Sequence, residues 1–459
     1  MNTYRNLSTL AVAAALGWTV PVQAQDAPSD ALRAELAAMR QQMAAMAAKI
    51  DELETELDAT GAKAETAAQA AAAASATLAA APPPAPAPAP APAEKLAKKG
   101  GWSFTPFGRL MVDAGTVNAP DSITDPGLGF ANEVRRARIG VKGEIGGGFG
   151  YKTELEFADN TVEVTDAFLT YSDKGLEVTV GQHNNFQSLE ELTSSRFTSF
   201  IERAAFTDAF GFQRRIGVSA QYAAKDVLVQ GGVFTDNIDN LSSDENNSWG
   251  VDGRAVFSPK MGDTQLHLGG SVHYRDLNQS ATSVRYRQRP SVHFTDTRFI
   301  NTGNIGAESE FGVGVEGAMV AGPFHAQAEG YWQTASRPGL ENPTFFGGAI
   351  EAGYFLTKGD SRTYKDHKFD RNKPKSEVGE GGIGAVQLNV RYDYLDLVDA
   401  GIIGGTQNAY SLSLIWTPTD YTRFLASYTR NEYDNAAILA GTDTSYNVDA
   451  LAVRAQFDF

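Results

Sequence analysis

The chain has 459 residues, no cysteine, 20% charged residues and a formal net charge of −16. Disulfides and thiolate metal sites are excluded, and no basic patch suited to nucleic acid appears. Past the first 25 residues no apolar run is long enough to cross a bilayer as a helix, but barrel strands leave a much weaker hydropathy signal and remain open.

The opening stretch, MNTYRNLSTLAVAAALGWTVPVQA, has a positive start at Arg5, an apolar run from Leu7 to Val20, and small residues Val22 and Ala24 before Gln25. That pattern predicts an export signal over residues 1–24. It places the mature chain beyond the inner membrane of a Gram-negative cell. Residues 25–81 carry a heptad seam: Leu32, Leu36, Met39, Met43, Met46, Ile50, Leu53 and Leu57 alternate steps of four and three. A stripe that narrow needs partner helices, so a periplasmic α-helical coiled coil is expected. Residues 82–100 open with PPPAPAPAPAPA, an extended spacer rising about 3.1 Å per residue.

From Trp102 the dominant period is two. In the closing ALAVRAQFDF, Leu451, Val453, Ala455, Phe457 and Phe459 share one face and Ala452, Arg454, Gln456 and Asp458 the other. In AVQLNVRYDY, Val386, Leu388, Val390, Tyr392 and Tyr394 alternate with Gln387, Asn389, Arg391 and Asp393. RARIGVKGEI sets Ala137, Ile139, Val141 and Ile145 against Arg136, Arg138, Lys142 and Glu144. Such strands suit a soluble sandwich or a membrane barrel. Aromatics at the ends of the apolar faces (Tyr392, Tyr394, Trp416, Tyr428) favour the barrel. So do polar faces of both charge signs, which suit a wet interior better than a core, and a final strand ending on Phe459.

Sixteen strands are expected near 103–114, 134–145, 149–158, 162–171, 175–183, 214–223, 226–235, 249–257, 263–275, 309–320, 323–333, 346–356, 383–395, 408–417, 421–431 and 448–459. The fold class is therefore all-β, a 16-stranded antiparallel transmembrane β-barrel over residues 101–459, preceded by the coil. Tight-turn chemistry near Gly147, Asp173, Lys225, Pro259, Gly322 and Pro418 falls on the periplasmic side. Long connections at 184–213, 236–248, 276–308 and 334–345 fall outside. SVRYRQRP belongs to the third of these, since counting it as a strand breaks the parity. Its Arg285, Arg287 and Arg289 lie on one side of a short extended piece, in solvent or in the mouth of a pore.

Residues 101–459 resemble the porin O and P family of phosphate- and polyphosphate-selective outer-membrane porins. SLEELTSSRFTSFIERAAF, RYRQRPSVHFTDTRFINTGNI, AGPFHAQAEGYW, GYFLTKGDSRTY, GAVQLNVRYDYLDL and VRAQFDF carry the likeness. The resemblance implies a homotrimer of 16-stranded barrels in the outer membrane, with two external loops and one periplasmic segment folded into the lumen. The candidates for those are 184–213, 276–308 and 358–380. It also implies an arginine-lined anion path. Candidate pore-lining residues are Arg196, Arg203, Arg214 and Arg215; Arg275, Arg285, Arg287 and Arg289; Lys365, Lys368, Arg371 and Lys373; and, on strand faces, Arg136, Arg138 and Arg391.

Phosphate or other small anions are the expected solutes, with no enzymatic activity, cofactor or metal. Expected partners are lipid and lipopolysaccharide, the barrel assembly machinery through Phe459, and peptidoglycan through the coil. A mixed interior also suits a general or differently selective porin, because residues from Gly101 on hold 31 basic and 45 acidic side chains. A different class of function is an envelope tether with the barrel as anchor. His267, Ser271 and His273 share a strand face, more simply as lumenal polar groups than as a nucleophile and base. Asp236, Asp239, Asp244 and Glu245 form an acidic external connection, read as solvated rather than as a cation site.

Overall fold

The computed structural model describes residues 101–240, 247–278 and 280–459. The expected signal, coil and spacer lie outside the described residues. Sixteen antiparallel strands follow in chain order: β1 (Thr105–Asn118), β2 (Gly129–Gly146), β3 (Phe149–Glu156), β4 (Glu163–Asp173), β5 (Leu176–Asn184), β6 (Arg214–Ala223), β7 (Val227–Phe234) and β8 (Trp249–Phe257), then β9 (Thr264–Asp276), β10 (Ser309–Ala321), β11 (Phe324–Ser336), β12 (Thr344–Phe355), β13 (Ala385–Asp399), β14 (Ile402–Thr419), β15 (Thr422–Asp434) and β16 (Tyr446–Asp458). A two-residue piece, Lys260–Met261, pairs with the start of β9. Each strand pairs with its successor, and β16 pairs with β1 from Arg109↔Asp458 to Asn118↔Asp449. The sheet closes, so no row of unpaired backbone groups is left at an edge.

Alternation decides the faces. Val453 is 50% exposed on the outside, while Arg454 is 4% exposed and turns inward. The same holds along β13, where Leu388, Val390 and Tyr392 face out and Gln387, Asn389, Arg391 and Asp393 face in. The outer surface is apolar, as lipid requires. Every expected strand is present. The largest underestimates are β2 and β14, which run past the expected 134–145 and 408–417.

Both ends of the strand sequence lie at one end of the barrel, called here the terminal end. Turns there are tight. Gly147–Gly148 and Lys174–Gly175 are two-residue loops with φ of +63°, +86°, +47° and +88°, the left-handed geometry that matches strand twist. The exception is 356–384, which carries a short hairpin pairing Tyr364–Lys365 with Lys368–Phe369. This segment folds inward: the Tyr364 hydroxyl lies 2.6 Å from His267 Nδ1, and Arg362 bonds Ser199 Oγ at 2.8 Å.

From the opposite end, loops 185–213 and 277–308 also enter the barrel. They meet apolar side chains that point inward. Phe206, Phe210 and Phe212 of one loop and Tyr286, Phe299 and Ile300 of the other pack on Tyr331 (β11), Phe345 (β12), Leu395 (β13), Tyr433 (β15) and Val448 (β16). The Phe212 and Tyr331 rings are 4.8 Å apart and the Phe299 and Tyr433 rings 5.1 Å. The expectation that the inward faces line a wet interior rather than cover a core is thereby corrected for one side of the barrel. An apolar core, not water, occupies the β11–β16 side, because these two loops bring enough aromatic surface to desolvate that wall.

Candidate functional site

The open space lies against the other wall. A cavity of about 670 Å³ is bounded by β1–β7, the loop 185–213 and parts of 277–308 and 356–384. Ten cationic and nine acidic side chains line it. Their arrangement matters more than their number.

The sheet places the cations. Arg109 faces inward on β1 together with Phe107, Met111 and Asp113. On β2 a bulge intervenes: Met111 pairs with Arg136 and Val112 with Val134, leaving Arg135 unmatched. A bulge puts two residues opposite one and re-aims side chains. Arg135, Arg136 and Arg138 consequently all reach the cavity.

Three carboxylates underlie the cations. Glu154 Oε1 accepts from Arg109 Nη2 at 2.6 Å, and Glu154 also lies 3.2 Å from Lys152 Nζ and 3.9 Å from Arg138. Glu156 accepts from Arg138 Nε at 2.6 Å and from Arg136 Nη1 at 3.3 Å. Asp166 accepts from Arg214 Nε at 2.6 Å and from Lys152. The network holds five cations against three carboxylates. Its acids are buried, with Glu154 0% exposed, whereas Arg136, Lys152 and Arg214 keep 20–26% of their side chains open. The carboxylates therefore orient the heads from behind, and Arg136, Lys152 and Arg214 present positive charge to the cavity, while Arg109 and Arg138 are as buried as the acids that hold them.

The other expected cations divide by location. Arg196, Arg203, Arg289 and Lys368 line the cavity. Arg203 spends its donors on the carbonyls of Glu190, Glu191 and Thr193, which fixes the fold of its own loop. Of the three arginines in SVRYRQRP only Arg289 reaches the cavity. Arg285 and Arg287 are exposed, and the alternating Val284, Tyr286 and Gln288 are buried. Arg289 is also tied to Asp296 at 2.8 Å.

Arg215 is buried on β6 away from the cavity lining. Arg275 pairs with Asp236 at 2.8 Å and Glu310 at 3.5 Å. Arg391 pairs with Glu190 and Asp393 and lies over the Phe200 ring. Arg371 binds Asp458, while Lys365 and Lys373 are exposed beside Asp366 and Asp420. None of these last six residues lines the cavity.

Asp236 corrects an expectation. It is 1% exposed and bonded to Arg275, Ser248 and Ser280, so it is not part of a solvated acidic loop. Asp244 and Glu245 lie outside the described residues. His267, Ser271 and His273 do face inward but engage separate partners: Tyr364 and Glu316, the Gln187 carbonyl, and Asp252.

Arg109, Arg135, Lys152 and Glu202 belong to the cavity lining but were not among the sequence candidates. Strand parity would have found Arg109 and Lys152. Nothing local signals the bulge that admits Arg135, nor the reach of Glu202 across to the wall.

A closed barrel with an apolar exterior, inward-folded loops and a charged lumen is an outer-membrane porin. The fold is that of OmpT of Vibrio cholerae, with a TM-score of 0.54 at 12% identity over 80% of this chain and 100% of that one. The chain belongs to the phosphate-selective porin O and P family, whose model matches residues 104–459, a family of channels and not of enzymes. An uncharacterized protein of Caulobacter vibrioides is 46% identical over 99% of this chain and 95% of its own length. Porin O of Pseudomonas aeruginosa is 26% identical over 71% of this chain and 81% of its own.

Proposed function

We propose that this porin prefers anions and conducts phosphate or small phosphorylated anions, including pyrophosphate and short polyphosphates. The observation that carries the reading is the wall network of Arg109, Arg136, Arg138, Lys152 and Arg214 over only three carboxylates. Planar guanidinium forks replace the water of an oxyanion with two parallel donors. Conduction also demands release, and heads already shared with Glu154, Glu156 and Asp166 hold an anion less tightly than free ones would. The membership of Porin O in the same family supports the same direction.

The assembly is a homotrimer whose terminal end faces the periplasm. Planar-bilayer recording tests the selectivity. Reversal potentials in a potassium chloride gradient should favour the anion, and added phosphate should reduce chloride current in a saturable way at sub-millimolar concentration. Cation preference would overturn the anion reading. Chloride current indifferent to phosphate would remove phosphate as the solute.

A further inference from the structure

Glu202 stands apart from the acids of the barrel wall. It belongs to the loop 185–213, yet its carboxylate crosses to the wall. Oε1 and Oε2 accept from Arg135 Nε and Nη2 at 2.8 and 3.0 Å, and Oε1 lies 3.1 Å from Arg454 Nη2. Arg454 in turn forks onto Asp113 at 2.7 and 2.6 Å. This quartet holds two cations and two carboxylates and is electrically closed. The adjoining network is not, with its five cations over three carboxylates. Arg135 and its neighbour in sequence, Arg136, both line the cavity, and so does Glu202.

Burial alone would raise the carboxyl pKa of Glu202. The charges of Arg135, Arg454 and His293 outweigh it and hold the group well below the ordinary range. The side chain is thus a fixed negative charge at the seam between loop and wall.

We propose that Glu202 is a selectivity-determining residue: by cancelling Arg135 at the cavity it limits the positive charge an entering oxyanion meets. It thereby sets how strongly the channel prefers anions and how readily it lets them go. The effect on phosphate rests on the reading under Proposed function; the effect on the balance of anion over cation does not. A channel that over-binds its solute conducts poorly, so one loop carboxylate facing an arginine-rich wall tunes retention against throughput.

The test uses full-length porin in planar bilayers, with Glu202→Gln, Arg135→Gln and the double variant. One unit charge at this range changes local anion occupancy about fivefold after screening. Glu202→Gln should raise the anion-to-cation permeability ratio, shifting the reversal potential towards that of chloride, and lower the half-blocking phosphate concentration about fivefold. Arg135→Gln should shift the reversal potential the other way, and the double variant should return close to wild type.

A merely structural clamp gives a different result: Glu202→Gln would alter conductance or noise while leaving the reversal potential unchanged, and that outcome overturns the proposal. So would shifts of the same sign in the two single variants. If Glu202→Gln does not assemble, Arg135→Gln decides, since an unchanged reversal potential there is equally fatal. A wild-type channel that prefers cations would sink the anion reading, yet opposite shifts in the two variants would still uphold the role of Glu202.

Discussion

Glu154 shows how a single buried acid organises a site. It is wholly buried and within 4 Å of Arg109, Arg138 and Lys152. Removing one partner of such a group leaves charge buried without compensation, which costs about 3–5 kcal/mol. Glu154→Gln should therefore lower the denaturant midpoint of the detergent-solubilised barrel markedly, and Glu163→Gln, on an exposed cavity-lining carboxylate, should not. Equal midpoints for the two variants would mean that Glu154 does not hold the cationic face together. The carboxylates of the lumen are thus not a simple subtraction from its positive charge, because depth decides which sign an ion meets.

Among the elements, the hairpin Tyr364–Lys365/Lys368–Phe369 carries a titratable group at its turn. Its two-residue turn, Asp366–His367, has φ of +50° and +57° at both positions, a geometry in which Asp and His are tolerated better than most side chains. His367 Nδ1 lies 2.7 Å from Ser258 Oγ. Burial, with the nearby charges of His267 and Arg254, lowers its pKa below 6.5. A lowered folded-state value means that the docked hairpin is favoured above about pH 6.5 and loses that contribution as pH falls through the lowered value. Single-channel traces at pH 5 should show more frequent conductance fluctuations than at pH 7.5, and His367→Gln should remove the difference. A wild-type channel equally quiet at both values would exclude His367 as the cause. The sequence pointed to 358–380 as a basic inward segment. It could not say that Arg362 would grip the opposing loop at the Phe197 carbonyl and Ser199 while Lys365 stayed outside.

At the scale of the whole molecule, the closed sheet trades an apolar exterior for a lumen divided between an aromatic core and a charged channel. The outer face can be probed directly. Val453→Arg places a charge towards lipid and should cost about 2–4 kcal/mol at mid-bilayer depth, seen as reduced folding yield into vesicles. Gln221→Arg, on an inward, cavity-lining position of β6, should fold far better. Similar yields for both would contradict the assigned faces. The period-two pattern, the strand count and the outward faces were legible in the sequence because pleating is local: each residue's face follows from its immediate neighbours. The barrel class was legible for the same reason, and the family through the resemblance carried by long motifs such as SLEELTSSRFTSFIERAAF. The tertiary structure alone decided the bulge at Arg135, the aromatic core against β11–β16, and the joining of Arg454 to Asp113, 341 residues apart in the chain. Those features depend on which distant surfaces meet once the barrel closes, and no local periodicity encodes a meeting between segments so far separated.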